Sequence, residues 1–183
     1  PMSAVEDTNL KEEGAVFLST GNFPKLMFLH LDRNDIGDVG VKALSNSNFL
    51  FLRSLSLNDN KIGAEGIKFL ANANFTGLLS LSLNDNKIDN EGAKFLANNN
   101  LTQLTSLGLS SNKINIEGIR HLATGNFSNL SSLDLNHNNI GDAEAVMLSE
   151  GIFPSLTTLT LNYNRIGTEG ALFLANGNFT RLN

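Results

Sequence analysis

Leucine returns along this chain in a fixed phase. Leu26, Leu52, Leu78, Leu104, Leu130, Leu156 and Leu182 stand 26 residues apart, and the residues between them repeat one apolar and polar pattern. In residues 52–77 the pattern runs Leu52, Leu55 and Leu57, then Asn60, Ile62 and Gly63, then Ile67, Leu70 and Ala71, and closes on Phe75. Leu55 and Leu57 alternate with polar residues, which predicts a short strand buried on one side. Ile67, Leu70 and Ala71 stand at i, i+3 and i+4, which predicts a helix of about two to three turns with one apolar face. A unit of one strand and one helix cannot bury both apolar faces alone. The units must therefore stack, and the period predicts a solenoid.

The register divides the chain, as one domain over residues 1–183, into a partial unit at 1–25, six 26-residue repeats over 26–181, and the start of a further unit at 182–183. In the partial unit Leu10 falls on the Ile column, Gly14 on the second Gly column, Leu18 on the helical Leu column and Phe23 on the Phe column, while Val5 and Thr8 replace the last strand Leu and the Asn. This unit is expected to shield the first strand, as the end of a solenoid requires. No polar capping segment follows Leu182, and Pro1 does not follow from an initiator Met. Both features suggest a piece of a longer array, or an array whose open end another chain covers.

Asn34, Asn60, Asn86, Asn112, Asn138 and Asn164 form a column without exception. An amide carries donors and an acceptor, so each is expected to satisfy backbone groups where the chain turns inward and no ladder reaches. Ile36, Ile62, Ile88, Ile114, Ile140 and Ile166 point back to the core. Gly37, Gly63, Asp89, Asn115, Gly141 and Gly167 follow, residue types that suit a left-handed turn. Phe49, Phe75, Phe127, Phe153 and Phe179, with Leu101, close the units. Glu65 and Lys68, Glu91 and Lys94, and Glu117 and Arg120 are i, i+3 pairs on a solvated convex face. Repeat five departs most, with Glu144 on a Gly column and Ile152, Phe153 and Pro154 in place of Asn-Phe-Thr, so its helix is expected to sit differently.

Leu52, Leu55, Leu57 and Asn60, and every later copy, match the signature LxxLxLxxN and so resemble the leucine-rich repeat family. The helical halves, such as Asn90–Ala97 and Thr168–Ala175, resemble ribonuclease-inhibitor-type repeats and above all the bacterial GALA subclass, although the period lies between those of the two. The resemblance implies an α/β leucine-rich repeat solenoid, a right-handed horseshoe with a parallel concave sheet and outer helices. It also implies a non-catalytic protein-binding role. GALA-type members are bacterial effectors that act on host ubiquitin ligases through an F-box, and this chain has no room for an F-box.

Composition narrows the partners. A net charge of -5 and a pI near 5.1 argue against holding a phosphate backbone or an anionic membrane. The absence of cysteine removes disulfides and thiolate chemistry. No long apolar run marks a signal peptide or a membrane span. The expected location is the cytoplasm, or a host cell if the protein is a secreted effector. The expected partner is a protein, with no nucleic acid, membrane, small-molecule substrate, cofactor or metal.

Positions beside the strand leucines form columns about 4.8 Å apart on the concave face. The middle columns are mostly Ser and Asn, whereas bulky and charged groups collect at the ends. Phe28, His30 and Arg33 lie at one end and His137, Tyr163 and Arg165 at the other, with Asp59, Asp85 and Asp134 between them. Because Tyr and Arg dominate binding hot spots, these nine residues are the candidate partner-binding set. A structural or regulatory segment of a larger sensor is the alternative. Ser111, His137 and Asp134 form the one combination suggestive of nucleophilic catalysis, but no oxyanion donor accompanies them. His30 and His137 are four strands apart, about 19 Å, too far to share a metal. Of the sequons at Asn74, Asn100, Asn126, Asn129 and Asn178, all but Asn129 fall at one repeat offset, so they are expected to reflect the repeat consensus rather than glycosylation.

Overall fold

The computed structural model describes residues 5–98 and 100–182. Residues 1–4 of the N-terminal unit and Asn183 of the further unit lie outside the described residues. Helices α1 (Lys11–Thr20), α2 (Gly37–Ser45), α3 (Ala64–Ala71), α4 (Asn90–Ala97), α5 (Ile116–Ala123), α6 (Asp142–Ser149) and α7 (Thr168–Ala175) alternate with short strands. The strands are β1 (Phe28–His30), β2 (Ser54–Ser56), β3 (Ser80–Ser82), β4 (Ser106–Gly108), β5 (Ser132–Asp134) and β6 (Thr158–Thr160). They form one open parallel sheet in chain order. Leu29 pairs with Leu55, Leu55 with Leu81, and so on to Leu159, with no slip of register. The result is a leucine-rich repeat solenoid.

The core runs through the stack between sheet and helices. Leu29, Leu55, Leu81, Leu107 and Leu133 are buried, as are Ile36, Ile62, Ile88, Ile114 and Ile140. Phe49 and Phe75 stack with ring centroids 6.5 Å apart, and Phe23 of the N-terminal unit lies 6.3 Å from Phe49. The N-terminal unit continues the backbone ladder. Val5 and Asp7 donate N–H groups to the carbonyls of His30 (2.9 Å) and Asp32 (3.0 Å). Val5, Leu10, Leu18 and Phe23 pack on the core from that end.

Each column Asn clamps the preceding repeat. Asn60 Oδ1 accepts from the N–H groups of Asn34 and Ile36, both at 3.2 Å, and its Nδ2 donates to the carbonyls of Leu31 and Asn58 at 2.9 Å. Asn86 and Asn164 repeat this arrangement on repeats two and five. Asn34 closes the first unit by accepting from Thr8 and Leu10 and donating to the carbonyl of Val5. Asn34 and Asn60 are fully buried, so without these amides several backbone groups lose their partners far from water.

The turn after each strand is made elsewhere than the Gly column. Gly37 alone in that column is left-handed, at φ 60°. Gly63, Asp89, Asn115, Gly141 and Gly167 are extended helix N-caps with φ from -121° to -92°. The chain has already turned at Arg33, Asp59, Asp85, Ser111, His137 and Tyr163, all left-handed with φ of 50–56°. That conformation costs an L-residue about 1–2 kcal/mol. The cost is offset because it aims the N–H of each of the first five at a carbonyl of the next repeat, as from Arg33 to Asn58 at 2.9 Å.

Helix starts are capped in alternation. Asp38 Oδ1 accepts from Gly63 N (2.7 Å), Asn90 Oδ1 from Asn115 N (3.0 Å) and Gly118 N (3.1 Å), and Asp142 Oδ1 from Gly167 N (2.7 Å) and Gly170 N (3.0 Å). One repeat thus caps the helix of the next. Where that column holds Ala64 or Ile116, the following helix is capped from its own repeat. Asp89 Oδ1 accepts from Gly92 N at 3.1 Å, and Glu144 Oε2 from Gly141 N at 2.9 Å. Glu144 is therefore a substitute cap. A Cβ at Gly66, Gly118 or Gly170 would approach the capping oxygen of the previous repeat to 2.5, 2.8 or 2.5 Å, and α6 receives no such oxygen. The convex pairs form as expected, at 3.5, 3.2 and 3.1 Å, and Lys42 and Lys68 also reach over Phe69 and Phe95 of the neighbouring helices.

Asn60→Ala is expected to destabilise the array by roughly 3 kcal/mol, because two donors and two acceptors lose their partner together. Asn164→Ala, at a half-buried site, is expected to cost less. Urea denaturation checks both, and a loss below about 1 kcal/mol at Asn60 would show that the amide column does not hold the stack.

Candidate functional site

The concave face is built from the polar residues that alternate with the strand leucines. Its central positions are not free. Asp32 Oδ1 accepts from Ser56 Oγ (2.6 Å) and Asn58 N (2.8 Å), and Asn58 Oδ1 accepts from Ser82 Oγ (2.7 Å) and Asn84 N (2.8 Å). Asn84 Oδ1 then accepts from Ser110 N at 2.7 Å. A second amide ladder therefore crosses the inner face beside the buried one. Gly108 leaves room for it, since a Cβ there would lie 2.9 Å from Asn84 Oδ1. The small, smooth middle of the face is a hydrogen-bonded surface whose side chains are mostly committed to one another.

The candidate residues sit at different depths. Phe28 opens β1 with half its surface exposed, and His30 closes β1 with Nδ1 3.9 Å from Glu6 Oε1. Arg33 Nε lies 3.9 Å from Asp7 Oδ2, so both polar groups at this end face the N-terminal unit. Asp59 and Asp85 are exposed on the rim in the left-handed column. Asp134 is committed: its Oδ1 accepts from Asn136 N at 3.0 Å and from Thr160 Oγ1 at 2.9 Å. His137 and Tyr163 come together, stacked with centroids 4.3 Å apart and planes 11° apart. Tyr163 remains 78% exposed, so its outer face is open. Arg165 is exposed two residues further on, anchored by its N–H to Ile140 O at 2.7 Å.

The structure joins two of the nine residues in direct contact, His137 and Tyr163. Among the described residues no hydrogen bond links Ser111, His137 and Asp134, and no cluster of His, Asp and Glu has the makeup of a metal site. A hollow of about 500 Å³ near α1 is lined by Lys11, Glu12, Asp35, Asp38 and Lys61 among others. Its Lys61 already pairs with Asp35 at 2.7 Å and its Asp38 caps α3, so it offers no converging set. Sequence reading passed over the left-handed column as a structural class, although Asp59, Asp85 and His137 are residue types enriched in that conformation. It also passed over exposed Met27, Leu50 and Phe51 in repeat one and Leu79 in repeat three, four large apolar side chains.

A stack of strand and helix units with an unobstructed sheet on its inner side defines a repeat scaffold. A leucine-rich repeat family profile matches residues 24–45, 50–71, 77–97, 128–149 and 154–175, more than half of the sequence. The chain belongs to the leucine-rich repeat family. The matched ranges include repeat five and none lies within repeat four. Among curated proteins nothing matches the sequence. Among solved structures the chain is similar to an internalin (inlF) from Listeria monocytogenes, at 22% identity and a TM-score of 0.54, over 98% of this chain and 50% of that one. It is also similar to an internalin C2 (inlC2) from the same organism, at 24% identity and a TM-score of 0.61, over 96% of this chain and 78% of that one. The chain thus spans half the length of the first of these. Among the described residues no helix is long and apolar enough to cross a membrane.

Asp134→Ala is expected to cost about 1 kcal/mol, whereas His137→Ala and Tyr163→Ala are each expected to stay within about 0.5 kcal/mol of the parent. Thermal and urea unfolding separate the two classes, and a large loss at Tyr163 would mean that its ring is part of the scaffold.

Proposed function

We propose that the chain is a non-catalytic module that binds a partner protein on its concave face, with anchors at the two ends. The observation that carries this reading is the division of labour on that face. The central amides and hydroxyls are spent on each other, while Phe28 and Arg33 at one end and His137, Tyr163 and Arg165 at the other keep open surface. Aromatic and guanidinium groups supply most binding energy where a partner desolvates them. A polar, small-residue middle fits the close approach of a strand or helix of the partner. Asp59 and Asp85 add negative charge along the rim, which favours a partner segment with basic residues. Asp134 contributes mainly by holding the shape of the face.

The reading extends to a bacterial protein directed at a host partner, acting in the cytoplasm or after delivery into the host cell. That extension rests on the resemblance of the helical halves to GALA-type repeats.

The test uses the chain as bait in host-cell lysate. Proteins retained by the parent are compared with those retained by Tyr163→Ala/Arg165→Ala, by Phe28→Ala/Arg33→Ala, and by the convex variant Glu91→Ala. A genuine concave partner is expected to lose roughly thirtyfold in affinity, about 2 kcal/mol, with either anchor pair and nothing with the convex change. Undiminished binding by both concave variants would refute the reading.

A further inference from the structure

Four networks recur between neighbouring repeats: the helix caps, the concave ladder, the buried amide column and a backbone bond on the rim. At the junction of repeats two and three the helix cap is local, yet the other three persist. Asn58 Oδ1 accepts from Asn84 N at 2.8 Å, Asn86 Oδ1 accepts from Asn60 N (3.1 Å) and Ile62 N (3.0 Å), and Lys87 N donates to Ile62 O at 2.8 Å. The same rim bond joins Lys113 to Ile88 (2.8 Å) and Arg165 to Ile140 (2.7 Å).

At the junction of repeats four and five all four change together, while the backbone bond from Ser111 N to Asn136 O (2.9 Å) and the amide bond from Asn138 Nδ2 to Leu109 O (2.8 Å) remain. Ile116 cannot cap α6, and Glu144 does so from within its own repeat. Ser110 has no amide to extend the concave ladder, and Asp134 caps Asn136 N from within repeat five instead. Asn138 Oδ1 accepts from Ile114 N at 3.4 Å, the longest bond of its column. Asn139 is left-handed at φ 62°, and among the described residues its N–H makes no counterpart of the rim bond to Ile114 O. Lys61 is also left-handed at the first junction, but there Gly37 N donates to Asn60 O at 2.9 Å.

The opposite edge of the same junction stays pinned. Ser155 Oγ donates to Ser128 O at 2.8 Å, Ser131 donates to Thr105 O through both N–H (2.8 Å) and Oγ (2.9 Å), and Ile152 N donates to Ala123 O at 2.8 Å. We propose that the array bends at this junction, opening along the edge where strands end and helices begin and pivoting on the edge where helices end and strands begin. Hinges of this kind need a local loss of contact beside a retained pivot, and the junction has both. The repeat passed over by the family profile is the one that carries Ser110 and Ile116. If the concave-face reading above holds, the hinge lies between the Phe28, His30 and Arg33 end and the His137, Tyr163 and Arg165 end, so bending adjusts the span between the anchors. The hinge itself does not depend on that reading.

The chain has no cysteine, so spin-label pairs can be placed at will. Glu91→Cys with Glu169→Cys spans the junction. Val39→Cys with Glu117→Cys spans equally many repeats and stops before it. All four sites are exposed near helix starts, on the edge that opens. The spanning pair is expected to give a distance distribution about twice as wide as the control pair. Equal widths would overturn the proposal. Copying the α5 arrangement with Ile116→Asn and Glu144→Gly is expected to narrow the spanning distribution toward the control, and a width that persists in this folded variant would overturn the assignment to this edge. Should that variant fail to fold, the comparison of the two pairs in the otherwise unaltered chain decides.

Discussion

The buried carboxamide column is the interaction on which the rest of the structure depends. A strand of three residues cannot satisfy its own neighbourhood, because the chain leaves the sheet as soon as the third strand leucine is buried. The N–H and C=O groups at that exit are deep in the stack, where an unpaired polar group costs about 1–3 kcal/mol. Asn60 meets four of them at once, on both its own repeat and the preceding one. The same bonds that end a strand therefore join two repeats. This coupling explains why the register of the sheet never slips from β1 to β6.

Once the spine is in place, the remaining side chains separate by direction. Leucine, isoleucine and phenylalanine columns fill the interior, and the convex helices carry weak ion pairs whose loss the array would tolerate. The inner face is subtler, because part of it is scaffold too. Asp32, Asn58 and Asn84 form a ladder at the surface that parallels the buried one, and Asp134 takes over the duty where Ser110 cannot. On the proposed reading, what is left for recognition is the left-handed rim and the two ends. The turn that throws His137 and Tyr163 outward also stacks their rings, which gives one end a flat aromatic surface held in place before any partner arrives.

Alternation of helix caps adds a longer rhythm to the array. Asp38, Asn90 and Asp142 bind the start of the following helix, whereas Ala64 and Ile116 leave it to cap itself. The array is thus a chain of repeat pairs rather than six equal links. The self-capped junction after repeat two keeps its other ties. The one after repeat four lacks the concave-ladder and rim bonds on one edge and keeps a longer amide-column bond, which is where the proposed hinge lies.

The sequence by itself determined the period, the strand and helix of each unit, the buried columns and the solenoid, because each follows from local spacing and from the need of half-buried elements to stack. It also marked the ends of the concave face as unlike the middle. Tertiary structure alone decided which polar residues are free. Asn58 and Asp134 look like surface groups on the page, yet their bonds run to residues about one repeat away or to a backbone whose direction no single repeat reveals. The Gly column was misjudged for the same reason: the turn had been made earlier, at Asp59 and His137, by residues whose conformation depends on carbonyls offered by the next repeat. Glu144 looked like a departure and is a replacement, legible only once Ile116 is seen beside it. Spacing within a repeat sets the fold, but the partners of a side chain in the neighbouring repeat set what that side chain is able to do.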